Sequence, residues 1–245
     1  MRAVVAVGRR HLPRGWSDLG LQISIWLGFL LAYQVARGIA DRNPTRAFAN
    51  ALKVIDFEQR AAGLYELTAQ NVIHSSDVLA KLAAWTYWNS EFTVISATLL
   101  FVYIRRHDAF ARFRNAILAA NLLGLVGYVL LPTAPPRMFP SLGFADPLTT
   151  HESGLIQLAA NPYAAMPSLH AADALIVGVI MAWVCRSLWA KLLWSVWPAW
   201  VWFSVMATAN HYWLDVIAGA LVALVGLGLA VGRDYRRLDV AQAAT

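Results

Sequence analysis

At 245 residues, 59% of them hydrophobic and only 14% charged, the chain is too apolar for an ordinary soluble domain. A net charge of +6 would suggest nucleic acid in a soluble protein. Here the Lys and Arg fall between apolar runs, where they act as topology determinants, so a bilayer is expected and a nucleic-acid partner is not. The single cysteine, Cys185, excludes an internal disulfide and any Cys-rich metal site.

Arg2, Arg9, Arg10 and Arg14 precede an apolar run at 19–36. That run is too long for a signal peptide and lacks a convincing small-residue cleavage site, so it reads as a retained signal-anchor. Residues 37–81 mix Asp41, Asp56, Glu58, Glu66 and Asp77 with six Lys/Arg. Phe48, Leu52 and Ile55 share one helical face there, which predicts a segment lying along the membrane surface. Further spans are expected at 82–104, 115–131, 167–185, 192–208 and 212–232. The fold class is therefore all-α: a single integral membrane domain of six transmembrane helices with an interfacial segment between the first two.

Residues 132–165 hold six of the ten prolines, a density that rules out a continuous helix and suggests a folded lid or re-entrant loop. Pro167 suits the first turn of the fourth span, and Pro198 predicts a kink in the fifth. Small residues at four-residue spacing (Ala120/Gly124, Gly219/Ala223, Gly228/Gly232) suit close helix packing in lipid. Trp183, Trp189, Trp194, Trp197, Trp200 and Trp202 crowd around the fourth and fifth spans, some as interfacial belt residues.

Six spans put both termini on one side. The N-terminus, the second and fourth connections and the C-terminus carry 13 of the 20 Lys and Arg, so this side is expected to be cytoplasmic. The Pro-rich connection and the starts of the fourth and sixth spans then share the extracytoplasmic side. That topology brings His170 and His211 to one face.

His211 and Asp215 are four apart at a helix start, within reach on one face. A carboxylate bonded to one ring nitrogen fixes the tautomer and leaves the other nitrogen free as base or nucleophile. A pair merely closing a helix end would look the same. His170, after Pro167 and Ser168, lies where first-turn N–H groups make an anion site. Ser168 and Asn210 are candidate phosphate donors beside it. Arg137 is the one basic residue of the Pro-rich connection and suits bidentate phosphate binding. Asp173, one turn after His170, is placed to tune that ring, to pair with Arg137 or simply to complement the helix dipole. Glu91, Asn89 and Tyr128 join it as candidate head-group contacts, since an acid at the depth of Glu91 must be paired or wetted. His11, His74, His107 and His151 read as surface residues. No metal or other cofactor is expected, because no outward-facing carboxylate cluster has ligand spacing.

Pro132-Thr133-Ala134-Pro135-Pro136-Arg137, then Met166-Pro167-Ser168-Leu169-His170, then His211-Tyr212-Trp213-Leu214-Asp215, in this order on six spans, resembles the type-2 phosphatidic acid phosphatase superfamily. More narrowly it resembles the inositol phosphorylceramide synthase-like (inositolphosphotransferase) branch. The resemblance covers about half of the chain. It implies that His211 attacks phosphorus and is phosphorylated, that Asp215 supports His211, and that His170 protonates the leaving oxygen. The implied partner is a lipid phosphoester. Three departures stand out: Leu130 where the superfamily has a lysine, Leu169 where it has glycine, and Ser204-Val205 where it has Ser-Arg. A pocket so poor in cations argues for a phosphomonoester or phosphodiester over a pyrophosphate. A simple lipid-phosphate phosphatase is the alternative; from another class, a six-span transporter coupled through Glu91 lacks the internal repeat such folds carry.

Overall fold

Lipid offers no hydrogen bonds to an exposed backbone, so the apolar runs fold as helices that satisfy their own N–H and C=O groups. The computed structural model describes residues 12–40, 43–146 and 162–243, with the side chains of all but 37, 40 and 233–243. Arg2, Arg9, Arg10, His11, Asp41, His151 and the stretch 147–161 of the Pro-rich connection lie outside the described residues. So do the side chains of Arg37, Arg233, Arg236 and Arg237.

The chain is all-helical. Its elements are α1 (Gly15–Ala40), α2 (Pro44–Ala61), α3 (Tyr65–His74), α4 (Asp77–Asn89), a π turn (Ser90–Val94), α5 (Ile95–Arg105), α6 (His107–Leu130), α7 (Leu169–Val184), α8 (Leu188–Ala207) and α9 (Trp213–Ala243). Among the described residues the one β feature is an isolated parallel bridge between Thr133 and Ala164. Each of the six expected spans coincides with helix. Three are long and apolar enough to cross a bilayer: Gly15–Ala36, His107–Leu130 and Trp213–Gly232. The others are less regular. α7 has 16 residues, the run 82–104 contains the π turn, and α8 carries Pro198 in its interior. With these apolar helices the chain is a multi-pass membrane protein.

α2 begins on Asn43, whose side chain accepts from the Arg46 N–H, with Pro44 in the first turn. Its buried stripe is Ala47, Ala51, Val54, Ile55 and Glu58. Of the expected face, Ile55 turns inward and Leu52 points outward at 54% exposure. The small alanines let α2 lie close over the Pro-rich connection. Asn50 donates to the Pro132 carbonyl at 2.8 Å and Ala47 accepts from the Ala134 N–H at 3.1 Å. That connection continues as two 3₁₀ turns, Pro136–Met138 and Pro140–Leu142.

α7 is the central helix, packed against α6, α8 and α9. Its approach to α9 depends on Gly219, where an added Cβ would sit 2.2 Å from the Ser168 carbonyl oxygen. Gly124 makes room for Leu169 in the same way, and Gly226, outside the expected pairs, admits the backbone of α6. Gly228 and Gly232 have nothing within 4 Å, so that pair does not serve packing among the described residues. Gly219→Ala is therefore expected to cost about 1–3 kcal/mol, the usual range for overpacking. Thermal unfolding in detergent, followed by tryptophan fluorescence, should show a lowered midpoint for Gly219→Ala and an unchanged one for Gly228→Ala.

Candidate active site

Residues 208–212 join α8 to α9 in a sharp bend. Ala209 adopts φ 53°, the left-handed region that non-glycine residues rarely occupy. The bend lets the N–H groups of Asn210 and His211 both return to the Val205 carbonyl, at 3.1 and 3.2 Å. The Ala209 carbonyl accepts the Arg137 N–H at 2.9 Å, which ties the Pro-rich connection to the same point.

His211 is left buried, with Nδ1 2.8 Å from the Ala165 carbonyl. A carbonyl can only accept, so Nδ1 carries the proton and Nε2 the lone pair. Burial, reinforced by the charge of Arg137 and opposed by the Ala165 hydrogen bond, holds the ring down to about 4. It is neutral at neutral pH. Asp215, expected to orient this ring by a direct hydrogen bond, stands 3.6 Å from Nδ1 and accepts instead from the Tyr212 N–H at 2.8 Å. The unpaired donors of a helix start compete for the carboxylate, and the backbone carbonyl of Ala165 takes its place at the imidazole.

His170 lies in the first turn of α7, and its ring centroid is 5.5 Å from that of His211 with a tilt of 58°. Its Nε2 is 3.2 Å from Glu91 Oε2, and the ring stacks on Tyr87 at 4.6 Å and 17°. Glu91 belongs to the π turn, whose wider winding interrupts the helix beside His170; such turns are frequent at functional sites. Glu91 is thus paired with the histidine. Asn89 is engaged within its own helix, donating to the Trp85 carbonyl and accepting from the Thr93 hydroxyl.

The Arg137 guanidinium donates to Asn210 Oδ1 and lies 3.8 Å from Asp146. Both amide hydrogens of Asn210 are taken by Thr208, by its carbonyl at 3.0 Å and its hydroxyl at 2.9 Å. Asn210 therefore has no hydrogen left for a phosphate; it is the bracket that holds Arg137. Ser168 is wholly buried and caps α7, accepting from the Ala171 N–H at 3.2 Å. Tyr128 is hydrogen-bonded to the backbone of Leu169. Two first-turn N–H groups of α7 are thus already engaged, which narrows the expected anion site there. Asp173 pairs neither with Arg137 nor with His170; its Oδ1 accepts from Asn121 of α6 at 2.7 Å.

A cavity of about 410 Å³ opens between α1, α5 and α6. Trp26, Phe29 and Leu99 are among its apolar walls, and Glu91, Asn121 and Asp173 line it too. Among the described residues no three His, Cys, Asp or Glu are grouped to hold a metal ion. Reading the chain alone misses Tyr87, the Ala165 carbonyl and two buried acids, Glu58 and Glu66, which accept from the N–H groups of Leu214 and Trp213 at the start of α9. The acids had a signal: each lies at helical spacing within a buried stripe, Glu58 after Ala51, Val54 and Ile55, and Glu66 before Ala69 and Ile73.

Comparison with known proteins bears on this arrangement. A family model described as the PAP2 superfamily matches residues 52–229. The chain is 31% identical over 146 residues to a phosphoinositol dihydroceramide synthase of Bacteroides thetaiotaomicron, covering 52% of this chain and 48% of that protein. It is 26% identical over 152 residues to an inositol phosphorylceramide synthase of Candida albicans, covering 54% of this chain and 31% of that one. The chain thus spans about half or less of the length of these curated relatives. The crystal structure of Aquifex aeolicus LpxE superimposes with a TM-score of 0.52, covering 76% of this chain and 98% of that one. At 15% identity this likeness concerns the fold alone.

Proposed function

This chain belongs to the PAP2 superfamily, and from that premise we propose that it transfers or hydrolyses the phosphoryl group of a lipid phosphoester through a phosphohistidine at His211. The observation that carries this reading is the pair of imidazoles on separate helices, 5.5 Å apart, with distinct partners. His211, neutral and with Nδ1 engaged, presents Nε2 as the nucleophile. Nε2 forms a bond to phosphorus as the bond from phosphorus to the leaving oxygen breaks, and His170 gives that oxygen a proton. In the second half-reaction His170 takes a proton from water or an alcohol, whose oxygen displaces Nε2. Arg137, steadied by Asn210, neutralises the phosphoryl oxygens.

The proposed setting is six spans with both termini cytoplasmic and the site on the extracytoplasmic side. The distribution of Lys and Arg and the six helical runs support it. The phosphoinositol dihydroceramide and inositol phosphorylceramide synthases among the relatives favour transfer to a lipid alcohol over simple hydrolysis. The cavity supports the same choice. Its walls are mostly apolar, Trp26, Phe29 and Leu99 among them, which suits the chain of a long-chain alcohol.

The test is incubation of purified protein with a radiolabelled lipid phosphoester, with and without a long-chain alcohol and with and without chelator. Acid-labile label on the protein, chased by the alcohol, is the expected result, unchanged by chelator. Absence of labelled protein under rapid quench would overturn the phosphohistidine. Leu99→Trp, which narrows the cavity, is expected to lower transfer to the alcohol about tenfold or more while hydrolysis by water is retained. The transfer-to-hydrolysis ratio measures this directly; equal loss of both would assign the cavity to the donor.

A further inference from the structure

Glu58 and Glu66 are 0% exposed, an unusual place for acids with no cation paired to them among the described residues. They arrive from α2 and α3 and meet the start of α9. Glu58 Oε1 accepts from the Leu214 N–H at 2.8 Å, Glu66 Oε1 from the Trp213 N–H at 2.5 Å, and Asp215 Oδ2 from the Tyr212 N–H at 2.8 Å. Three successive N–H groups that no helical turn can satisfy are therefore each taken by a different carboxyl group. The second oxygen of each acid, Glu58 Oε2, Glu66 Oε2 and Asp215 Oδ1, is buried without a hydrogen-bond partner.

Helix capping alone would not need this arrangement, since one Ser, Thr or Asp at the helix start ordinarily serves. Nor can three converging carboxyl groups all be ionised in a dry site without strong repulsion. We infer that Glu58 and Glu66 are positioning residues for the reaction: a buried carboxyl pair whose oxygens hold the Leu214 and Trp213 N–H groups and so fix the first turn of α9, and with it the direction in which His211 faces phosphorus. The inference rests on the phosphotransfer reading for its catalytic consequence, though not for its geometry.

The titratable groups that face the pair are each other, Asp215 and Tyr212. Burial first, then repulsion from Glu66 and Asp215, lifts Glu58 to about 9; burial first, then Asp215, lifts Glu66 to about 7. Both values lie above the ordinary 4.5, so the folded protein holds protons that the unfolded chain releases. The stabilisation is complete below about 4.5 and is lost as pH rises through about 7 and then about 9. Loosening of the α9 start is expected on the alkaline side.

Hydrogen–deuterium exchange of the full-length protein reads the geometry without any substrate. Corrected for intrinsic exchange, protection of the amides of Tyr212, Trp213 and Leu214 is expected to fall between pH 6 and 9. In the Glu58→Gln/Glu66→Gln double variant, which keeps both acceptors and removes the titration, protection is expected to stay level. With a lipid phosphoester, kcat of both proteins falls as His170 loses its proton, and that of the wild type should fall more steeply over the same interval than that of the Gln pair. Glu66→Leu should lose kcat by on the order of 10–100-fold with KM within about twofold. Level wild-type protection from pH 6 to 9, with a wild-type kcat that falls no more steeply than that of the Gln pair, would overturn the inference. So would an unchanged kcat in a folded Glu66→Leu; if that variant does not fold, the Gln pair decides. A wild type inactive on every lipid phosphoester, yet with pH-dependent protection, would remove the phosphotransfer reading and leave the carboxyl pair standing.

Discussion

His211→Ala is expected to lower turnover of a lipid phosphoester by on the order of 10⁴-fold or more, the scale seen when a covalent nucleophile is removed. The phosphoenzyme should vanish with it. The variant also leaves the Ala165 carbonyl without its donor in a buried site, a cost of about 1–3 kcal/mol. A lowered unfolding midpoint is therefore expected alongside the loss of activity. Retained equilibrium binding of a lipid phosphate, through Arg137, separates loss of chemistry from loss of fold. The pH profile carries a second check. A ring held down to about 4 stays neutral from pH 5 upward, so the acid limb of kcat/KM should lie near 4 and not at the usual 6.5. By the same linkage, stability from this residue is present above about 6.5 and is lost as pH falls through about 4. Turnover within tenfold of wild type in His211→Ala would remove it as nucleophile.

The convergence of His170 and His211 is legible in the chain because both stand at the starts of apolar helices separated by one further helix, which returns the second to the side of the first. The partners of these rings are not legible in the same way. Asp215 is four residues from His211 and within 3.6 Å of it, yet the first-turn N–H of Tyr212 takes the nearer oxygen. Spacing shows which groups can meet; it does not show which of several donors wins. The Ala165 carbonyl cannot be foreseen at all, since it comes from the far end of the Pro-rich connection. Asn210, next to His211 in the chain, reads as a phosphate donor. Its geometry, both amide hydrogens committed to Thr208, makes it a support for Arg137 instead. Glu91 stands out as an acid in an apolar run, whereas the π turn that carries it leaves no mark on the hydrophobic period.

That π turn is the basis of the second large effect. Glu91→Gln removes the negative charge 3.2 Å from His170 Nε2 while preserving size. A carboxylate there stabilises the protonated imidazole that must donate to the leaving oxygen, and afterwards favours proton capture from the acceptor alcohol. The variant is expected to lose about 10²–10³-fold in kcat, within the range for general-acid chemistry, and His170→Ala a comparable amount. If the two residues act as one unit, the double variant should be little worse than either alone, because each single change already disables the pair. Burst kinetics then assign the step. A leaving group of low pKa, such as a nitrophenyl ester, needs no proton, so phosphorylation of His211 should be restored in Glu91→Gln and His170→Ala with that substrate. Dephosphorylation by alcohol should remain slow, because there His170 acts as the base. Simple additivity of the two changes, or no rescue by the activated ester, would separate Glu91 from His170 and return it to a structural role in the turn.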